Sequence, residues 1–211
     1  MEHGEDPRAE ASPPSLPSAQ PAVLEAARRG DAHAQYLMAL SLLVDDPRLR
    51  DAGQAAIWLC MAADLGYAPA LLRLGLMHLL GEDMPRDAEA ALRLYTAAAE
   101  QGDVEAAVRL GLMYAFANGI PRDLLTAYAW FNVAAAAGHR PARQTRRSIR
   151  AALSPDDLAE ANARSERLAE KIRQRAERVV PGVPAQTPPA ATELLAAAGQ
   201  NAPCRGTEVK V

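Results

Sequence analysis

The chain has 211 residues, about half of them apolar, and carries 23 Lys and Arg against 26 Asp and Glu for a formal charge of −3. That balance leaves no global basic field for nucleic acid or a membrane surface, and no apolar run approaches the ~20 residues that a membrane span needs. Ala is abundant while Phe, Trp and Tyr number only two, two and five. Ala is the strongest helix former and strands favour β-branched and aromatic residues, so the composition predicts an all-α chain.

The first residues, Met-Glu-His-Gly-Glu-Asp-Pro, are acidic and are not followed by an apolar core. No signal peptide is expected, and the cytoplasm is the default location. Residues 1–21 are rich in Pro and Ser and are expected to be disordered. A short lead-in helix is predicted from about Pro21 to Arg29. The two cysteines, Cys60 in an apolar helical stretch and Cys204 in a Pro/Gly-rich tail, are not expected to pair; two lone thiols fit a reducing compartment.

From residue 30 the chain repeats itself. Gly30, Gly66, Gly102 and Gly138 are spaced by 36. Laying 66–101 over 102–137 without a gap gives 13 identities, among them Arg-Leu-Gly-Leu-Met at 73–77 and 109–113 and Pro-Arg-Asp at 85–87 and 121–123. The first repeat, 30–65, is more worn: Ala34, Asp51, Ala55, Trp58, Ala62 and Ala63 keep the register, but Ala39 replaces Gly75 and Gly111. Each unit reads as two helices, about 68–80 and 88–101 in the second repeat and 104–117 and 124–137 in the third. Pro85 and Pro121 break the chain between them, and Asp87 and Asp123 can cap the second helix of each pair. Each second helix ends at a Gly suited to a left-handed residue. Gly75 and Gly111 allow close backbone approach, with Ala91, Ala98 and Ala99 facing that contact, and Trp58, Leu94 and Trp130 share one bulky position.

Leu-Gly-x-x-Tyr at 110–114, Asn118-Gly119-Ile-Pro-x-Asp, Ala127-x-x-Trp130-Phe131-x-x-Ala134-Ala135 and Gly138 together resemble the Sel-one-like repeat, a relative of the tetratricopeptide repeat. The resemblance covers 30–137. Departures are Ala39, His78 in place of Tyr, and Asp83 in place of the loop Gly. It implies an all-α, right-handed solenoid of helix-turn-helix repeats whose first helices line the concave face. It also implies adaptor roles in signalling, secretion or envelope regulation. Some relatives are cysteine-rich and bind β-lactams. This chain lacks their paired cysteines, which makes a β-lactam hydrolase the least favoured reading.

Beyond Gly138 the register fades into a partial fourth repeat, a helix over about 141–153 that closes the array at residues 22–153. Ser154-Pro155-Asp156-Asp157 has the chemistry of a helix start. Leu158, Ala161, Ser165, Leu168, Ile172, Ala176 and Val179 then make one mildly apolar stripe. Residues 154–180 therefore read as a C-terminal capping helix that shields the last repeat. The Pro-rich segment 181–211 is expected to be disordered, with a transient helix at 190–198.

Catalytic and cofactor signatures are absent from the sequence: it has no phosphate loop, nucleophile elbow, zinc-protease motif or Cys-x-x-Cys. No enzyme activity, cofactor or metal is expected, and His78 reads as a packing residue. Two surface features remain. Arg140, Arg143, Arg146, Arg147 and Arg150 form a basic strip. It reads as a solvated face answered by Asp156, Asp157 and Glu160, with an anion or nucleic-acid contact as the alternative. The second feature is apolar. Tyr36, Leu40 and Leu43 align with Leu72, Leu76 and Leu79 and, in the third repeat, with Val108 and Leu112, which Phe116 extends. A first helix whose only polar residues after Pro69 are Arg73 and His78 needs cover on nearly every side. The expected cover is a partner protein, a second copy or the chain's own ends, and the resulting expectation is a non-catalytic adaptor. Its concave groove takes an apolar, helical segment, with Arg73, Glu105 and Arg109 at the rim.

Overall fold

The computed structural model describes residues 21–44 and 50–178. Those residues form helices α1 (Pro21–Arg28), α2 (Ala32–Leu42), α3 (Ala52–Asp64), α4 (Ala68–Leu80), α5 (Ala88–Ala99), α6 (Val104–Phe116), α7 (Leu124–Ala136), α8 (Arg140–Ala152) and α9 (Pro155–Arg178), with no strand among the described residues. The segments expected to be disordered, 1–20 and 181–211, and the short helix expected at 190–198 lie outside them. Pro21, the last residue of the expected N-terminal disorder, begins α1.

The 36-residue period is written into the hydrogen bonding. Asp51, Asp87 and Asp123 occupy one register position, and each side chain accepts from a backbone N–H three residues on, at 2.9, 2.8 and 3.0 Å. The backbone N–H of the same three residues donates back to Leu42, His78 and Tyr114 at 3.0, 2.9 and 3.0 Å, which fixes where the second helix starts relative to the first. The first helices are capped in register too: Asp31 and Asp103 by their carboxylates, His139 through Nδ1. Tyr67 holds that position in the second repeat without a cap bond and has Pro69 in its first turn. Its hydroxyl meets His33 Nδ1 at 2.7 Å instead, and its ring tilts against Tyr36 with centroids 5.5 Å apart.

Each helix from α1 to α8 packs on its chain neighbours, and α9 returns onto α7. The result is an α-solenoid with α2, α4 and α6 as first helices and α3, α5 and α7 as second helices. Its core is mostly small: Ala55, Ala62, Ala91, Ala98, Ala127 and Ala134 are fully buried. Trp58, Leu94 and Trp130 are buried at their shared position. The notches beside Gly75 and Gly111 are filled by aromatic rings. A Cβ at Gly75 would stand 2.5 Å from Tyr95 Cε1, and one at Gly111 would stand 2.9 Å from Phe131 Cε1.

The last helix starts with a reciprocal cap in which Ser154 Oγ accepts from Asp157 N at 3.1 Å and donates to its carboxylate at 2.7 Å. Ala161 and Ser165 are buried, Leu158, Leu168 and Ile172 are half-buried, and Ala176 is exposed, so the stripe engages over its first five members. Arg164 reaches Asp123 at the start of α7, and Lys171 and Arg175 reach Glu100 at the end of α5, at 2.8, 2.7 and 3.3 Å. Helix α9 thus lies along the second-helix layer.

Cys60 is half-buried on α3. The expectation that it does not pair with Cys204 falls on a residue outside the described ones.

Candidate functional site

A helix wedged between two neighbours buries two sides and leaves a third. On α4, Ala70, Leu71, Leu74, Gly75 and Met77 are buried, while Leu72, Leu76 and Leu79 are half-buried. On α6, Ala106, Ala107, Leu110, Gly111 and Met113 are buried, Val108 and Leu112 are half-buried, and Phe116 is 66% exposed. On α2, Tyr36 and Leu43 are half-buried and Leu40 is 39% exposed. Tyr36, Leu72 and Val108, and likewise Leu40, Leu76 and Leu112, are therefore incompletely covered at equivalent positions on three successive first helices, whereas Ala115, the equivalent of Leu43 and Leu79, is buried. The apolar surface extends at Leu37 and Leu80, 38% and 54% exposed.

Within this surface lies a pocket of about 210 Å³ that draws the three first helices together. Tyr36 from α2 and Pro69, Leu72 and Leu76 from α4 make apolar walls, and Glu105 and Arg109 enter from α6. Leu40, Leu43, Leu79, Val108, Leu112 and Phe116 are not among the pocket's lining residues. Arg109 Nε donates to Glu105 Oε1 at 2.8 Å. Arg73 and Tyr95 complete the lining.

Tyr95 was not singled out by the sequence reading. It projects from α5 against Gly75, where a Cβ would stand 2.5 Å from its ring, and it is fully buried. Its position aligns with Phe131, so its hydroxyl has no counterpart in the third repeat. That hydroxyl and Arg73 Nε are buried with no hydrogen-bond partner among the described residues. A buried donor without a partner costs about 1–3 kcal/mol. Burial pushes the Tyr95 phenol up; the Arg109 charge lowers it and Glu105 raises it, leaving it at about 12 and protonated near neutrality. His78, in the Tyr114 register, has Nδ1 buried and unpartnered on the far turn of α4.

The basic strip falls on α8, where Ala142 and Ile149 are buried, Arg146 is half-buried, and Arg140, Arg143, Arg147 and Arg150 are exposed. Arg146 donates to Asn132 of α7. Two of the expected answering charges, Glu160 and Asp157, are engaged elsewhere. Glu160 pairs with Arg164 and Arg167, both at 3.0 Å, and Asp157 serves the α9 cap. No arginine of the strip forms an ion pair among the described residues. These residues also hold no cluster of three or more metal-ligating side chains, and no helix long and apolar enough to cross a membrane.

Comparisons with known proteins agree with this architecture. The model of the Sel1 repeat matches residues 32–67, 68–103 and 104–139, the same 36-residue period phased two residues later. Among solved structures, the chain is similar to c5321, a protective antigen present in uropathogenic Escherichia coli strains that displays an SLR fold. The TM-score is 0.64 and the identity 28%, over 74% of this chain and 34% of that one. It is also similar to a Sel1 repeat protein from Oxalobacter formigenes, with a TM-score of 0.55 and 29% identity over 60% of this chain and 96% of that one. This chain spans about a third of the length of the first neighbour. No curated protein matches it. Three consecutive matches across half its length place this chain in the Sel1 repeat family.

Proposed function

We propose that the face formed by α2, α4 and α6 receives an apolar, helical segment of a partner protein, and that the chain is a non-catalytic adaptor. Sel1 repeat proteins are generally interaction scaffolds, and helical-repeat folds of this kind are typically non-catalytic. The observation that supports the groove in this chain is the exposure pattern. Tyr36, Leu72, Leu76, Val108 and Leu112 are half-buried, and Leu40 and Phe116 are exposed, beside fully packed neighbours on the same helices. Contiguous apolar surface of this kind marks interaction sites in soluble proteins, and an amphipathic helix lying in such a groove would bury it.

Panning a displayed library of amphipathic helical peptides on the intact chain tests the reading. Peptides should be retained by the native protein and lost on Leu76→Glu with Leu112→Glu, while the helical circular dichroism persists. Leu110→Glu is the contrasting variant, since Leu110 is fully buried, and it should unfold the array. If the double variant unfolds as well, those side chains are ordinary core and the groove reading fails. If deleting 181–211 is needed before any peptide binds, the chain's own end is the occupant.

A second reading has its own support. With five Arg on α8 and no carboxylate paired to them among the described residues, that helix suits an anion or nucleic-acid contact. Retention on heparin that falls steeply with salt, and that is lost on Arg143→Gln with Arg147→Gln, would establish it.

A further inference from the structure

In each complete repeat the first helix packs on its own second helix, α2 on α3, α4 on α5 and α6 on α7. In the second and third repeats Gly75 and Gly111 mark that contact, facing the rings of Tyr95 and Phe131. Continuing the 36-residue register onto α8 puts Arg147 where these glycines stand, and Arg143 where α4 has Leu71 and α6 has Ala107, both buried. Onto α9 it puts Arg167 where Tyr95 and Phe131 stand. A glycine and a ring that fit together have become two arginines that neither fit nor attract. Helix α9 packs on α7 and makes no comparable contact with α8. Arg140, Arg143, Arg147 and Arg150 are left exposed, and none of the four forms an ion pair among the described residues. The last first helix thus presents, bare and positive, the face that a second helix covers in the repeats before it.

We infer that this face docks an acidic helix of a partner protein, which takes the place of the missing second helix. The inference rests on the reading of α8 as an anion contact. Spacings of three, four and three residues keep Arg140, Arg143, Arg147 and Arg150 on one side of α8. At 1.5 Å per residue the row is about 15 Å long. A helix laid along it with Glu or Asp at the same spacing meets each guanidinium with a carboxylate, and hydrogen bonds between ionised groups are about twice as strong as neutral ones. Small side chains between those acids cover the aliphatic stems of the arginines. A basic helix is repelled, and an apolar one leaves the guanidinium groups without acceptors. A nucleic acid finds a strip only one helix wide, on a chain of formal charge −3, and so has few phosphates neutralised.

Two stapled, end-blocked, Ala-rich helical peptides of identical composition are the probes. One carries four Glu spaced three, four and three along one face, and the other carries the same Glu spread around the helix. A single-stranded oligonucleotide of equal charge is the third probe. Titrated into the full chain with arginine Nε labelled for NMR, the one-faced peptide should shift the Arg143 and Arg147 signals saturably. The spread isomer and the oligonucleotide should bind at least tenfold more weakly. Arg143→Glu with Arg147→Glu should abolish binding of the one-faced peptide and create binding of its Lys-for-Glu form, with the helical circular dichroism unchanged. The milder pair Arg143→Gln with Arg147→Gln should weaken the one-faced peptide several-fold. Equal binding of the two isomers would overturn the helix assignment, and heparin retention would then leave the anion reading standing. Shifts that spare Arg143 and Arg147 would also overturn it. Tighter binding of the oligonucleotide would make nucleic acid the partner instead. If neither peptide nor heparin binds, both readings fail and the strip is only the solvated end of the array. If the one-faced peptide binds only after residues 1–20 are removed, the chain's own acidic segment is the occupant and the partner assignment is wrong.

Discussion

The ring of Phe131 occupies the space that a side chain at Gly111 would need: Cε1 and Cζ lie 2.9 Å from where a Cβ would stand. Tyr95 meets Gly75 in the same way one repeat earlier. In the first repeat the equivalent positions are Ala39 and Leu59, both fully buried. The worn first repeat is therefore compensated, with a methyl added on one helix and an aromatic ring replaced by an aliphatic side chain on the other.

A double-mutant cycle reads this directly. Gly111→Ala should destabilise by about 1–3 kcal/mol, the usual cost of overpacking. Phe131→Leu should destabilise through the volume that it empties. Together they recreate the pair of the first repeat and should cost about 1 kcal/mol or more less than the sum of the two single changes. Thermal or urea unfolding of the four proteins measures it. Strict additivity would mean that the two positions do not share one space.

In the second and third repeats the loop between paired helices contains two left-handed positions, and each of these repeats supplies Gly at only one. The second repeat has Gly81 at φ 74° and Asp83 at φ 63°; the third has Ala117 at φ 54° and Gly119 at φ 81°. A left-handed residue with a Cβ costs roughly 1–2 kcal/mol, less for Asp. Ala117→Gly should therefore stabilise the chain by about 1 kcal/mol in chemical unfolding. Asp83→Gly should gain less, because Asp83 also pairs with Arg50. If Ala117→Gly is neutral or destabilising, the loop is not strained at that residue.

These two relationships also mark what could be read from the sequence. The solenoid was legible because its signals are local and recur: Gly every 36 residues, Pro between helices, Asp at each second-helix start. The glycines at 75 and 111 could be assigned to a close contact, and the alanines nearby are indeed buried. The contacting group, however, was an aromatic ring from four residues along the partner helix, and only three dimensions show which side chain enters the notch. The same limit hid Tyr95 from the candidate site, although its alignment with Phe131 opposite a glycine was the available clue. The α8 counter-charges were misassigned for a related reason. Closeness in sequence suggested Asp156, Asp157 and Glu160, but the direction of α9 is set by its packing on α7, which local chemistry does not specify.

The unanswered charge on α8 has a consequence for stability that requires no ligand. Arg143 and Arg147 are four residues apart on the helix, as are Arg146 and Arg150, and like charges at that spacing destabilise by about 0.2–0.5 kcal/mol per pair. Replacing Arg143, Arg147 and Arg150 together with Gln should raise the melting midpoint slightly at low salt. Added sodium chloride should stabilise the native chain and leave the variant nearly unaffected, because screening removes a repulsion that only the native chain has. A variant less stable than the native chain at low salt would show that the strip is compensated by charges elsewhere.

The contact between Arg164 and Asp123 makes the docking of α9 sensitive to acid. Burial pushes the Asp123 carboxyl up, but the backbone and hydroxyl of Thr126 and the Arg164 guanidinium outweigh it and hold the group below its ordinary 3.8. Because the folded value is the lower one, the unfolded chain binds the extra proton first as pH falls. The stabilisation is complete above about 3.8 and is lost as pH drops through the folded value. Both partners are about a third exposed, so the pair is worth about 1 kcal/mol or less. Arg164→Gln removes one of the interactions holding Asp123 down and leaves its cap bonds to Thr126 in place. The Asp123 carboxyl carbon, followed by NMR, should then titrate at higher pH than in the native chain. Amides in α9 should exchange faster at neutral pH while those of α4 and α6 stay protected. A titration unmoved by the substitution would mean that Asp123 is held down by its helix cap alone, and that α9 is docked by its apolar stripe without help from this pair.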